Sequence, residues 1–275
     1  MIKNRQFGSV LQLEMGKEIN GQVLYSMAAY FVDGILFDTG PYSITGEAKG
    51  FFPSLAVEKV VNTHHHEDHI GNNYLFAEQS IPVFAHQTAA PLIETPSLWT
   101  DRLLDYQKLV WDYPPPSPCL PLGEYLQSRS YNFRVIHTPG HSPDHICLLE
   151  EEQGWLFSGD LFLGEKVKQL RSDEDIHQSM QSLEYLLQYK FDTIFCCSGR
   201  VFEDGWHKMQ AKLNWWQEIY QQTITMKDRG LNEEEIRNQL LGEENILAQV
   251  TEGDLSKLNL IRSLLDIPVK SGQHH

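Results

Sequence analysis

Four of the chain's twelve histidines fall within the seven residues Thr63 to His69, THHHEDH. The run follows Val57 to Asn62, whose valines predict a strand, and it opens a helical pattern from Asp68 to Gln79. Strand side chains alternate, so His64, His66 and Asp68 project to one side while His65 points away, and His69 swings across as the helix begins. Imidazole is the commonest protein ligand for zinc-like metals. Three or four donors from one short loop can therefore converge on a cation, which ties the fold to a strand end that feeds a helix.

The remainder of the chain supplies that setting. Val23 to Val32 and Ile35 to Gly40 are apolar runs split by Asp33-Gly34, a strong signal for a tight hairpin. Further strands are expected at 81–86, 133–138, 145–150, 155–160 and 192–199, and helices at 99–111 and 180–189. Strands interleaved with helices predict an α/β chain with a mixed sheet. After Gly205 the strands stop, and Trp206, Met209, Leu213, Trp216 and Tyr220 keep helical spacing. The reading is thus a domain over 1–205 and a C-terminal helical extension over 206–275. Asn232 before three glutamates is a helix N-cap, Asp254 is read as another, and Pro268 as a stop. YPPPSPCLP, residues 113–121, cannot be regular helix or central strand. It ends an excursion that begins near Pro91 and carries Trp99, Tyr106 and Trp111, which is expected to wall a substrate site.

With 22 Lys+Arg against 37 Asp+Glu, the net charge of −15 weighs against attraction to nucleic-acid phosphates or anionic lipid. No apolar run reaches membrane length, and the first residues read as an edge strand, so a cytoplasmic protein with no membrane partner and a small-molecule substrate is expected. Four irregularly placed cysteines do not make a disulfide framework.

Four motifs in order, Asp38-Thr39-Gly40, then HHHEDH, then HTPGHSPDH with His141, then SGD with Asp160, resemble those of the metallo-β-lactamase-fold hydrolase superfamily, in its glyoxalase II and β-lactamase-like ribonuclease branch. The resemblance implies an αββα sandwich with a metal centre at one edge of its two sheets. It assigns His64, His66 and His141 to a first metal, Asp68 and His69 to a second, and Asp160 to both, with Asp38 orienting a ligand. Zinc is expected, one ion or two, with iron or manganese compatible with the donors. A family histidine that normally follows a glycine after the last core strand is replaced by Arg200, which cannot ligate a metal. Three outcomes follow: a single-metal site, a second site completed by another donor, or an Arg200 that pairs with Asp68 or binds an anionic substrate group. His145 is either a partner of the site or a structural histidine.

The implied chemistry is metal-dependent hydrolysis, in which activated water attacks an ester, thioester, lactone or phosphodiester and Asp68 orients the water or takes its proton. No G-x-S-x-G elbow, Walker loop or G-x-G-x-x-G fingerprint offers another mechanism. Leu163 stands where similar lactonases have tyrosine, and no glutathione-binding set is visible in the extension. A mononuclear-iron enzyme resembling persulfide dioxygenases, and a catalytically silent metal-binding or partner-docking protein, are the competing readings.

Overall fold

Apolar runs with no polar face must be covered on both sides, and this requirement sets the layering. The computed structural model describes residues 1–267, so Pro268, His274 and His275 lie outside the described residues. Seven strands form one sheet in chain order: β1 Ile2–Phe7, β2 Val10–Ile19, β3 Gln22–Val32, β4 Ile35–Phe37, β5 Lys59–Val61, β6 Val83–Ala85 and β7 Leu120–Pro121. A six-stranded sheet runs β13-β12-β11-β10-β9-β8, from β8 Tyr125–Gln127, β9 Asn132–His137, β10 Ile146–Glu150, β11 Trp155–Phe157, β12 Thr193–Phe195 and β13 Val201–Glu203. Pairing is antiparallel from β1 to β4 and parallel from β4 to β7, while in the second sheet β11 and β12 are parallel. Both sheets are therefore embedded in mixed α/β architecture, as expected.

In β3, Met27 and Ala29 join Leu13, Met15 and Leu36 beneath the helices α1 Thr45–Phe51, α2 Glu67–Ile70 and α3 Asn73–Ala77, which contribute Ala48, Ile70 and Phe76. Ala28, Tyr30 and Val32 face the other way and meet Phe133, Leu148, Phe157 and Phe195 of the second sheet. Phe157 and Phe195 stack 4.9 Å apart with planes at 15°, and each such buried ring contributes about 1.5–3 kcal/mol. The β3–β4 turn has φ +46° at Asp33 and +83° at Gly34, the two positive values that a two-residue hairpin requires.

The helical pattern over 68–79 forms two short helices, divided at Gly71-Asn72. The backbone of Pro41 and Tyr42 passes so close to Gly71 that any Cβ there would collide with it. The pattern over 99–111 is helical only in α5 Asp105–Val110, preceded by α4 Ala90–Glu94 and two 3-10 turns. Leu104 is extended, and its N–H donates to Gln107 Oε1 at 2.8 Å, which starts the helix late.

The chain divides into two compact units. The first comprises Met1–Thr138, Pro143–Leu163 and Lys190–Gly205 and carries both sheets; the second comprises Pro139–Ser142, Gly164–Tyr189 and the chain from Trp206 on. The second is helical: α6 Ile176–Leu186, α7 Gly205–Asp228, which begins at the unit boundary, α8 Glu233–Leu241, α9 Ile246–Val250 and α10 Lys257–Leu264. Asn232 caps α8 reciprocally with Glu235. The expected cap at Asp254 is corrected, because Ser256 caps α10 by accepting from Asn259 N–H at 3.1 Å. Ser256 also pairs its backbone with Leu170, which delays the helix, and Asp254 accepts instead from Ser172 Oγ at 2.6 Å. Among the described residues no helix is long and apolar enough to cross a membrane.

Two outcomes follow from this packing. Gly71→Ala should lower unfolding free energy by about 1–3 kcal/mol in urea titrations, since the obstacle is backbone. His86 stacks on His137 with ring centroids 4.2 Å apart, and burial, then the His137 charge, holds its pKa below the ordinary imidazole value while Asp144 opposes. A depressed folded pKa gives stability that is complete above the unfolded value and lost as pH falls below it. Acidification from neutral pH to pH 5 should therefore lower Tm less in His86→Gln than in the unaltered protein.

Candidate metal centre

The first unit gathers the ends of β4, β5, β11 and β12 at one edge. Asp38, just beyond β4, has φ +62°, a conformation that costs an aspartate energy. Its hydrogen bonds offset that cost. The Asp38 N–H donates to Val61 O at 2.9 Å, Oδ1 accepts from Thr63 N–H at 2.8 Å, and Oδ2 accepts from Thr63 Oγ1 at 2.9 Å and His69 Nδ1 at 2.7 Å. Because the single Thr63 hydroxyl proton goes to Asp38, Thr63 Oγ1 accepts from His64 Nδ1 at 3.0 Å. Both His64 and His69 thus carry their protons on Nδ1 and present Nε2 as the electron-pair donor.

The loop is held from beneath by buried amides. Asn62 and Asn73 bond one another in both directions, at 3.2 and 2.8 Å, and Asn72 Nδ2 donates to the carbonyls of Thr39 and Pro41 at 2.9 Å each. Thr39 N–H donates to His69 O at 2.8 Å. His65 points away, as alternation predicts, and bonds Asp144 through both its N–H and Nδ1 at 2.9 Å. Asp160 follows β11 through Gly159, where a Cβ would collide with His145. Its N–H donates to His145 Nε2 at 3.1 Å, so of the two roles open to His145 the structure gives it contact with the site.

One donor atom each from His64, His69 and Asp160 lies within 4.8 Å of the others. His69 Nε2 is buried without a hydrogen bond, 3.2 Å from Asp160 Oδ1 and 3.7 Å from Asp68 Oδ2. Burial alone lowers the His69 pKa, but Asp38, Asp68 and Asp160 outweigh it and hold the imidazole well above its ordinary value. A buried nitrogen surrounded by carboxylates calls for a positive charge, and two imidazoles with a carboxylate suit a divalent cation. The residues fit such an ion.

The other expected residues are placed as follows. His66 is buried with its ring 4.4 Å from that of His64, and Asp68 is buried on the same loop. His141 is buried on the Pro139–Ser142 segment of the second unit, where its Nδ1 lies 3.4 Å from Glu174 Oε2. Arg200 is exposed. The turn at Gly199, φ +77°, directs its guanidinium to Leu163 O and, 5.3 Å away, the Phe202 ring.

Sequence reasoning missed three features. Glu67, fully buried, accepts from Gln107 Nε2 at 2.7 Å, binding α5 to the histidine loop. Trp99 of the same excursion sets its ring edge-on to His65 at 5.0 Å. Tyr25, read as part of a strand, sets its ring edge-on to Trp111 of the excursion at 5.2 Å. Burial first, and then the negative charge of Asp160, raises its pKa well above that of an ordinary phenol.

Comparison with known proteins agrees with this arrangement. Residues 28–198 match the family described as Metallo-beta-lactamase superfamily. The chain is 33% identical over 191 residues to a Beta-lactamase-like protein 2 homolog of Drosophila melanogaster, covering 66% of this chain and 59% of that protein. It is 27% identical over 145 residues to a hydroxyacylglutathione hydrolase of Bdellovibrio bacteriovorus, covering 52% of this chain and 49% of the relative. The chain thus spans less than two thirds of either relative. The crystal structure of a metallo-beta-lactamase family protein from Thermus thermophilus superposes with a TM-score of 0.68 at 19% identity, over 94% of this chain and 91% of that one, which establishes the fold.

Asp38→Asn should weaken metal binding by about 10–100-fold, read by competition with a chromogenic zinc chelator, because it disturbs the orientation of His69. Unchanged affinity would show that His69 is set by other contacts.

Proposed function

The chain belongs to the metallo-beta-lactamase superfamily, and from that membership we propose that it is a metal-dependent hydrolase of an ester- or thioester-type acyl bond. The observation that carries the reading is the convergence of His64, His69 and Asp160 in a buried, negatively charged setting. Similarity to a hydroxyacylglutathione hydrolase favours acyl substrates, and the net charge of −15 weighs against a polyanionic one.

In this reading His64, His69 and Asp160 would hold a divalent cation, with His66 and Asp68 of the same loop as further donors. Zinc is the first choice for these donors, with iron and manganese as alternatives. A divalent cation there supplies Lewis-acid polarisation of the substrate oxygen and a nucleophilic water at neutral pH.

The protein's own groups do the rest. Asp38 and Thr63 keep Nε2 of His64 and His69 as donors, and His145 holds the backbone of Asp160. Asp68, 3.7 Å from His69 Nε2, accepts a proton from the attacking water. The new C–O bond forms as the acyl C–S or C–O bond breaks, and the proton passes to the departing group. Trp99 packs edge-on against His65, and Gln107 of α5 donates to Glu67 of the histidine loop.

The test is turnover of an S-acyl thioester, p-nitrophenyl acetate and bis(p-nitrophenyl) phosphate, with elemental analysis of the protein, before and after dialysis against a chelator. Acyl turnover should disappear with the metal, return on adding zinc, manganese or ferrous iron, and fall on the order of a thousandfold or more in Asp160→Ala. Full activity in the chelated protein, or phosphodiester turnover alone, would overturn the proposal.

A further inference from the structure

Glu67 is the buried acid of the histidine loop that the chemistry above leaves unused. It is fully buried, and its Oε1 accepts from Gln107 Nε2 at 2.7 Å. Its other oxygen, Oε2, is buried with no hydrogen bond among the described residues, so a single bond sets the direction of the side chain. A carboxyl group withdrawn from water with one oxygen unbonded disfavours folding, whereas an apolar side chain of similar size would not. Stability therefore gives no reason for an acid at this position.

The partner is committed to the contact. Gln107 is buried too, and its Oε1 accepts from Leu104 N–H at 2.8 Å, which leaves Nε2 to face Glu67. Its amide cannot flip without losing both bonds. The helix that carries it is anchored in turn: Ser43 N–H donates to Trp111 O at 3.0 Å, Ser43 Oγ to Val110 O at 2.7 Å, and Lys17 Nζ to Leu109 O at 2.6 Å. Thr63 and Asp38 hold His64 and His69, and Asp144 holds His65. Glu67, between His66 and Asp68 in the chain, ties the start of α2 to the anchored α5.

We propose that Glu67 is a positioning residue, which through Gln107 fixes the turn from His66 to Asp68 against α5 and so lets the excursion set the geometry in which the loop meets its metal. The inference rests on the metal-dependent hydrolase reading above. A bond between two buried side chains holds its geometry more firmly than one open to water, and a support one shell out from a metal tunes the ligands it orients.

Gln107→Glu in the full chain tests this, because it keeps an oxygen for Leu104 N–H but sets a second carboxylate against Glu67. Zinc affinity, read by competition with a chromogenic chelator, should fall about 10–100-fold. The visible absorption bands of the cobalt(II)-loaded variant should shift as its ligands move. Adding Glu67→Gln to the same chain reverses the bond at unchanged net charge, since the introduced amide donates to the introduced carboxylate. This double variant should regain the cobalt spectrum and a zinc affinity within about threefold of the unaltered protein. Should Gln107→Glu not fold, Gln107→Met, which keeps the bulk and removes the donor, should show the same loss. A purely structural bond would lower Tm alone: an unchanged cobalt spectrum with zinc affinity within about twofold, in whichever single variant folds, overturns the proposal, as does a loss that the reversed bond leaves uncorrected. Loss and rescue in a protein that hydrolyses none of the acyl probes would support the positioning role while removing the hydrolase reading.

Discussion

The bond from Asp38 to His69 is the constraint on which the rest of the centre depends. Its 2.7 Å length fixes which nitrogen of His69 carries a proton, and the second bond of the same oxygen, to Thr63, fixes the tautomer of His64 in turn. Two potential ligands are therefore set by one carboxylate. Asp38 reaches both from a left-handed conformation, φ +62°. The cost of that conformation, of order 1–3 kcal/mol, is offset by charge-assisted bonds in a buried setting, where each is worth more than in water.

The legibility of the centre in the sequence follows from how local each part is. HHHEDH is a single loop, so the direction of His64 against His65 can be read from strand alternation, and the structure turns them apart as expected. The Asp33-Gly34 turn is equally local, since two positive φ values select those residues. Helix boundaries were harder, because the helix breaks at Asn72, whose amide is held by the carbonyls of Thr39 and Pro41 some thirty residues earlier, and Ser256, the α10 cap, is bridged to Leu170. Arg200 shows the same limit. Its residue type suggested a contact with substrate, yet its direction depends on the turn at Gly199, which sends the guanidinium to Leu163 O.

Charge explains why the centre tolerates so many acids in a chain that is already acidic. Asp38, Asp68 and Asp160 surround His69 within a region from which water is largely excluded, and their mutual repulsion there is not screened as it would be at the surface. Such an arrangement is unfavourable unless a positive charge shares it. A protonated His69 supplies one unit and a divalent cation supplies two, so the carboxylates favour the metal over the proton once both compete for Nε2.

The excursion from Pro91 to Pro121 then separates two tasks that a small site would otherwise combine. The amides of Asn62, Asn72 and Asn73 support the histidine loop from the strand side, with no contribution from the excursion. The excursion touches the loop and the hairpin from the other side, through Trp99 on His65, Gln107 on Glu67 and Trp111 on Tyr25. Changes along the excursion can therefore act on the outer contacts of the loop while the amides keep it in place from the strand side. The Glu67–Gln107 bond is the exception, because it joins a fully buried carboxylate of the loop to α5, and movement of α5 would be felt between His66 and Asp68.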